Sequence, residues 1–216
     1  MKKNLTELVF ILDKSGSMAG MEKDVIGGFN SMIEKQKSQE GEVLVSTVLF
    51  SNASRVIHDR KSIEEIAPLT ENDYVAFGST ALLDAIGGAI KHIGNIHKYA
   101  REEDVPERTM FIITTDGMEN CSREFSSNKV KNMILRQEEK YGWEFLFLAS
   151  NIDAVETAEC MGIRSDRAVN YDVKAESAKM FTCMSETISA YRQEKAIPKG
   201  WGRRFEKELK KSDENN

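Results

Sequence analysis

The chain has 216 residues and a formal net charge of −5, with 40% hydrophobic residues, 30% charged residues and three cysteines. That length supports one α/β domain with a substantial core, or such a domain with a small appendage. The mildly acidic balance argues against a generic nucleic-acid surface, and no apolar run approaches the roughly eighteen residues that cross a bilayer.

The elements predicted from the sequence alternate. Residues 5–12 form an apolar first strand; Lys2 and Lys3 precede it, but Glu7 and Asp13 interrupt the run and exclude a signal peptide. A polar turn, Asp13-Lys14-Ser15-Gly16-Ser17, follows. Residues 21–39 read as a helix, with Val25, Phe29, Met32 and Ile33 on one face. A second strand covers residues 43–50. Only Ser51 to Ser54 separate it from residues 55–60, which allows a hairpin and not a crossover helix, so 55–60 is the antiparallel edge strand. A Gly/Ser turn, Gly78-Ser79-Thr80, opens a helix over 82–100. Strands at 109–114, 143–149 and, more weakly, 168–171 then alternate with helices at 127–141, 154–161 and 175–194.

Strand–helix alternation implies parallel strands, right-handed crossovers and helices on both faces of a central sheet, a three-layer Rossmann-like α/β fold. Strands that are apolar almost throughout fit burial on both sheet faces. From Ala196 the pattern changes. Residues 197–202 are a turn-rich break and residues 203–211 a short charged helical segment, expected to pin Trp201, Phe205 and Leu209 against the domain. Residues 212–216 are expected to fray. The division is therefore a domain over 1–195 and a charged extension over 196–216.

Three segments carry the chemistry. Asp13, Ser15 and Ser17 follow the first strand, Thr80 stands just before a helix, and Asp116-Gly117 ends the apolar strand Phe111-Ile112-Ile113-Thr114. Carboxylates and hydroxyls at the ends of parallel strands form an oxygen-only donor set of low charge, which suits Mg²⁺ or Mn²⁺ better than zinc or copper. A strand followed by a polar turn accounts for the first pentapeptide taken alone; the convergence of three such segments does not reduce to that. His58, His92 and His97 give no zinc set, because His92 and His97 are five apart on a helix and do not share a face. Cys121, Cys160 and Cys183 are odd in number and scattered, as expected of reduced thiols in a cytoplasmic protein.

Asp13, Ser15, Ser17, Thr80 and Asp116, in this order, resemble the metal-ion-dependent adhesion site of von Willebrand factor A domains. The resemblance runs roughly from Leu5 to Tyr191 and is greatest to small stand-alone bacterial A-domain proteins, through Gly78–Ile86 and Thr115–Asn120. It implies Ser15, Ser17 and Thr80 as direct ligands, Asp13 and Asp116 as direct or water-mediated ligands, and an open position that takes a carboxylate from a partner protein. It implies a binding module and not an enzyme. Two other classes stand beside it: a metal-dependent hydrolase, and an accessory subunit of an ATPase, stress-response or ribonucleoprotein complex. Against catalysis, a haloacid-dehalogenase phosphatase needs a second acid two residues after the first, where this chain has Ser15. There is also no phosphate loop, dinucleotide fingerprint or nucleophile elbow. Asp73, Tyr74, Phe77, Met18, Met118, Glu119 and Arg123 are expected around the rim, and Lys14 adds positive charge beside the ligands.

Overall fold

The computed structural model describes residues 1–202, with the backbone alone at residues 173–178. The expected segment at 203–211 and the tail at 212–216 lie outside the described residues. Six strands form one sheet: β1 (Lys2–Asp13), β2 (Glu42–Phe50), β3 (Ser54–Ser62), β4 (Pro106–Thr115), β5 (Glu144–Ala149) and β6 (Ala168–Asn170). Among the described residues five α-helices accompany them: α1 (Glu22–Lys37), α2 (Leu82–Tyr99), α3 (Ser127–Tyr141), α4 (Ala154–Cys160) and α5 (Val173–Glu194). Sheet order is β3-β2-β1-β4-β5-β6. Every pairing is parallel except β2 with β3, the hairpin that the short Ser51–Ala53 connection dictates.

Alternation along β1 divides the interior into two cores. Leu8, Phe10 and Leu12 face one side, where α1 and α5 pack on the sheet; Val9 and Ile11 face the other, covered by α2, α3 and α4. This is the three-layer arrangement that a parallel sheet needs to bury both faces. A helix end explains the later start of β5. Gly142, at φ 65°, takes the left-handed conformation that closes α3, so β5 starts at Glu144 and Trp143 packs as part of the turn. Asp153 caps α4 by accepting from the Glu156 N–H at 2.9 Å.

A polar staple holds α5 in register against α1. The buried Gln36 side chain donates to Ser185 O at 3.0 Å and to Ser189 Oγ at 3.0 Å. From α5, Arg192 donates to Gln36 O and Oε1 at 2.8 and 2.9 Å and to the Glu40 carbonyl at 2.9 Å. These are carbonyls at the end of α1 and just beyond it, where the helix ladder leaves acceptors without partners. Past α5, Ile197 and Trp201 enter the same core as α1, and the Trp201 indole donates to Asp166 O at 2.9 Å. No described helix is long and apolar enough to cross a membrane.

Candidate metal centre

Strand order reverses between β1 and β4: α1 carries the chain from β1 to β2 on one side, and α2 carries it back to β4 on the other. The crevice at the carboxyl ends of those two strands is the place where open α/β sheets bind ligands. Asp13 is the last residue of β1 and Asp116 directly follows β4.

Four of the five candidate residues are joined there by hydrogen bonds. Ser15 Oγ and Ser17 Oγ share one at 3.1 Å, and Ser17 Oγ donates to Asp116 Oδ1 at 2.5 Å. Asp13 Oδ1 accepts from the Ser15 N–H at 2.7 Å and Asp13 Oδ2 from Thr115 Oγ1 at 2.6 Å. Thr80 joins from the third segment. A Cβ placed on Gly117 would lie 3.5 Å from Thr80 Oγ1 and 3.6 Å from Ser17 Oγ, so both hydroxyls border the same small space. All five candidates thus converge.

The loops interlock through their backbones. Gly16 N–H donates to Gly78 O and Phe77 N–H to Lys14 O, each at 2.9 Å, tying the β1 turn to the loop that carries Thr80. Thr80 is gripped from both sides by Asn120, whose Oδ1 accepts from Thr80 N–H at 2.9 Å and whose N–H donates to Thr80 O at 3.1 Å. Gly78 is required where it stands: its φ is 80°, and a Cβ would meet Asn52 Oδ1, which accepts from the Ser79 N–H. Asp84, in the first turn of α2, accepts from the N–H groups of Arg123, Glu124 and Phe125 at 2.8–2.9 Å and fixes the loop after Asp116.

Asp13, Ser15, Thr80 and Asp116 are buried, while Ser17 opens to solvent. Burial raises the Asp13 pKa, against the hydrogen bonds from Thr115 and Ser15. Burial also raises that of Asp116, against the Ser17 hydrogen bond, and the Asp13 charge adds to the rise. Desolvation and like charge both disfavour two carboxylates in this crevice, and a cation is what reverses that balance. Asp116 Oδ2 makes the point locally: it is a buried oxygen with no hydrogen-bond partner, while Oδ1 of the same carboxylate accepts from Ser17. The donors are all hard oxygens, and among the described residues no three His, Cys, Asp or Glu side chains converge. The set fits Mg²⁺ or Mn²⁺.

The expected rim divides. Phe77 is 53% exposed and Met118 73%, and they stand on two of the three loops that form the crevice. Tyr74 and Met18 are buried beneath it; the Tyr74 hydroxyl donates to the Asp13 carbonyl, so it braces the end of β1. Glu119 is also turned inward, accepting from the N–H groups of Leu83, Cys121 and Ser122. Asp73 accepts from Thr70 N–H and Oγ1 within its own loop. Lys14 places its ammonium 3.9 Å from the centre of the Phe77 ring, and burial followed by the Arg55 charge lowers its pKa. Thr115, Asn120 and Asn52 hold the ligand loops but were not candidates in the sequence, and Tyr74, expected on the rim, braces the loops from beneath. Thr115 and Asn120 at least lie in the Thr115–Asn120 segment; nothing local marks Asn52, and nothing local marks Tyr74 as a buried brace.

No protein-family model matches the sequence, and no curated protein matches it. Solved structures do. The von Willebrand factor domain of the type V pili tip protein Mfa5 from Porphyromonas gingivalis is similar at a TM-score of 0.62 and 12% identity, over 87% of this chain and 96% of that one. This chain has the von Willebrand factor A fold. A von Willebrand factor type A protein from Catenulispora acidiphila is similar at a TM-score of 0.54 and 14% identity, over 86% of this chain and 42% of its own. Manganese-loaded TRAP protein from Plasmodium vivax is similar at a TM-score of 0.54 and 17% identity, over 76% and 65%. The chain therefore spans less than half of the Catenulispora protein but nearly all of the Mfa5 domain.

Proposed function

We propose that this chain is a metal-dependent protein-interaction module of the cytoplasm, which holds Mg²⁺ or Mn²⁺ in the crevice and through it binds an acidic residue of a partner protein. The observation that carries the reading is the buried, unpartnered Asp116 Oδ2 in a crevice shared with the Asp13 carboxylate and the hydroxyls of Ser15, Ser17 and Thr80. The A-domain fold and its similarity to a manganese-loaded protein support it.

Ser15, Ser17 and Thr80 would hold the ion through their hydroxyls, and Asp116 through the oxygen that lacks a partner. Asp13 already spends both oxygens on Ser15 N–H and Thr115 Oγ1, so it acts mainly by orienting the β1 turn and supplying charge. When bound, the ion supplies a Lewis-acidic position for a partner's carboxylate oxygen. Only two carboxylates stand in the crevice, so an incoming third is not repelled by a negative site. Phe77 and Met118 offer apolar, adaptable contact area on either side, suited to a protein surface more than to a small polar substrate.

Two measurements test the reading. Calorimetry should show one weak Mg²⁺ or Mn²⁺ site in the wild type and its loss in Ser15→Ala, and partners captured from the native cell by wild type should be missing with that variant. Phosphatase, esterase and nucleotidase panels with either metal should read blank. Robust turnover that disappears in Ser15→Ala would replace the module by a metal-dependent hydrolase.

A further inference from the structure

A second concave site lies at the opposite end of the strands. A cleft of about 640 Å³ opens at the amino ends of β1 and β4, between the last turns of α2 and α3. Trp143 and Pro106 are buried in its walls, and the Trp143 indole is locked by stacking on Phe111 at 5.2 Å between centroids. Tyr141, half exposed, stands at the mouth.

Charge distinguishes this cleft. Lys91 and Lys98 come from α2, seven residues apart, and Arg136 and Lys140 from α3, four apart; each spacing puts its pair on one helix face. The four cations converge on one concavity in a chain whose net charge is −5. None of them pairs with a carboxylate among the described residues. Of the two acids on the wall, Glu107 is engaged by Lys195 at 2.6 Å and the Asn4 N–H at 3.0 Å, and Glu102 faces the N-terminal amine of Met1, which also lines the cleft, at 3.9 Å. Lys98 and Lys140 lie in the last turns of their helices, where the macrodipole favours a cation. Lys91 and Arg136 lie too far back for that, so helix electrostatics do not explain the cluster.

We propose that this cleft binds a small phosphorylated ligand of mononucleotide size. Its volume falls in the range of small-molecule sites, roughly 300–1,000 Å³. Lys and Arg on two walls suit a phosphate dianion; Tyr141 at the mouth gathers two of them, its hydroxyl beside Lys140 and Arg136 with the Lys140 ammonium 5.3 Å from its ring centre, and leaves its other face for a planar ring. The acidic remainder of the chain opposes an extended polyanion such as RNA, whose charge would continue past the rim.

The test is calorimetry on the full chain in EDTA, which keeps the Asp13–Asp116 crevice free of metal, with AMP and inorganic phosphate as probes. AMP should bind saturably at one site, more tightly than phosphate, and weaken as salt rises. The exposed double substitution Lys91→Ala with Arg136→Ala should weaken AMP at least about tenfold, and Tyr141→Ala should reduce AMP affinity by a larger factor than phosphate affinity. Ser15→Ala should bind AMP as wild type does. Charge reversal, Lys98→Glu with Lys140→Glu, provides an independent pair that should also lose AMP. The proposal is overturned by no saturable AMP binding at millimolar concentration, by equal affinity for AMP and phosphate, by wild-type affinity in both charge variants, or by tighter binding of a poly-glutamate peptide or a single-stranded oligonucleotide.

Discussion

Replacing Asp116 by Asn should stabilise the metal-free protein and abolish its response to metal. The side chain is 2% exposed; Oδ1 accepts from Ser17 and Oδ2 has no partner. A buried polar atom left unsatisfied costs about 1–3 kcal/mol, more when charged. Asn keeps the shape and the Ser17 hydrogen bond and removes the charge that opposes Asp13, but it still buries an amide in the same place. The low end applies, a gain of about 1 kcal/mol, which for a chain of this size raises Tm by roughly 2–4 °C. Metal acts the other way. At a free Mg²⁺ concentration tenfold above its Kd the wild type gains about 1.4 kcal/mol, while the variant gains almost nothing. Thermal melts followed by circular dichroism, first in EDTA and then in Mg²⁺, should therefore show the variant melting higher in EDTA and the advantage vanishing or reversing in metal. A variant that melts below wild type in EDTA would mean that the carboxylate is satisfied and stabilising. Equal metal increments in both proteins would remove Asp116 from the cation site.

Asp84→Ala should lower stability at neutral pH by on the order of 1 kcal/mol, because three loop N–H groups lose their acceptor. Burial works against the Asp84 charge, but the N–H groups of Arg123, Phe125 and Glu124 outweigh it and hold the pKa below the ordinary 3.8. The contribution is thus present above about pH 4 and disappears as pH falls through the lowered value, so urea midpoints of wild type and variant should converge at acid pH; a constant gap would show that the charge is not involved. Arg192→Ala should cost about 2–4 kcal/mol by leaving the Gln36, Gln39, Glu40 and Gly41 carbonyls without their donor, and should raise amide exchange over residues 179–194 before the sheet responds. Unchanged exchange there would mean that the staple does not fix α5. Gly28→Ala should cost about 1–3 kcal/mol, since the new Cβ would fall 2.0 Å from Phe181 Cδ2 and α1 and α5 would have to separate; a chemical denaturation midpoint equal to wild type would show that Phe181 can move aside.

Much of the architecture was legible because its signals are local. Five apolar strand runs, the short Ser51–Ala53 link and the period of residues such as Val25, Phe29, Met32 and Ile33 specify strands, a hairpin and an inward helix face without reference to distant residues. The five candidate ligands were legible for the same reason, because each sits where a strand or helix begins or ends. What the tertiary structure alone decided is everything that depends on which ends meet. The reversal of strand order between β1 and β4 brings Asp13 beside Asp116 and lets Gly117 share a space with both Thr80 and Ser17. Tyr74, expected on the rim, is buried because its hydroxyl reaches the Asp13 carbonyl across sixty residues of chain, a distance over which no periodicity carries information. The Arg192 staple and the convergence of Lys91 with Arg136 are of the same kind: ordinary polar side chains on a helix in the sequence, given a role only when crossover connections set two helices side by side.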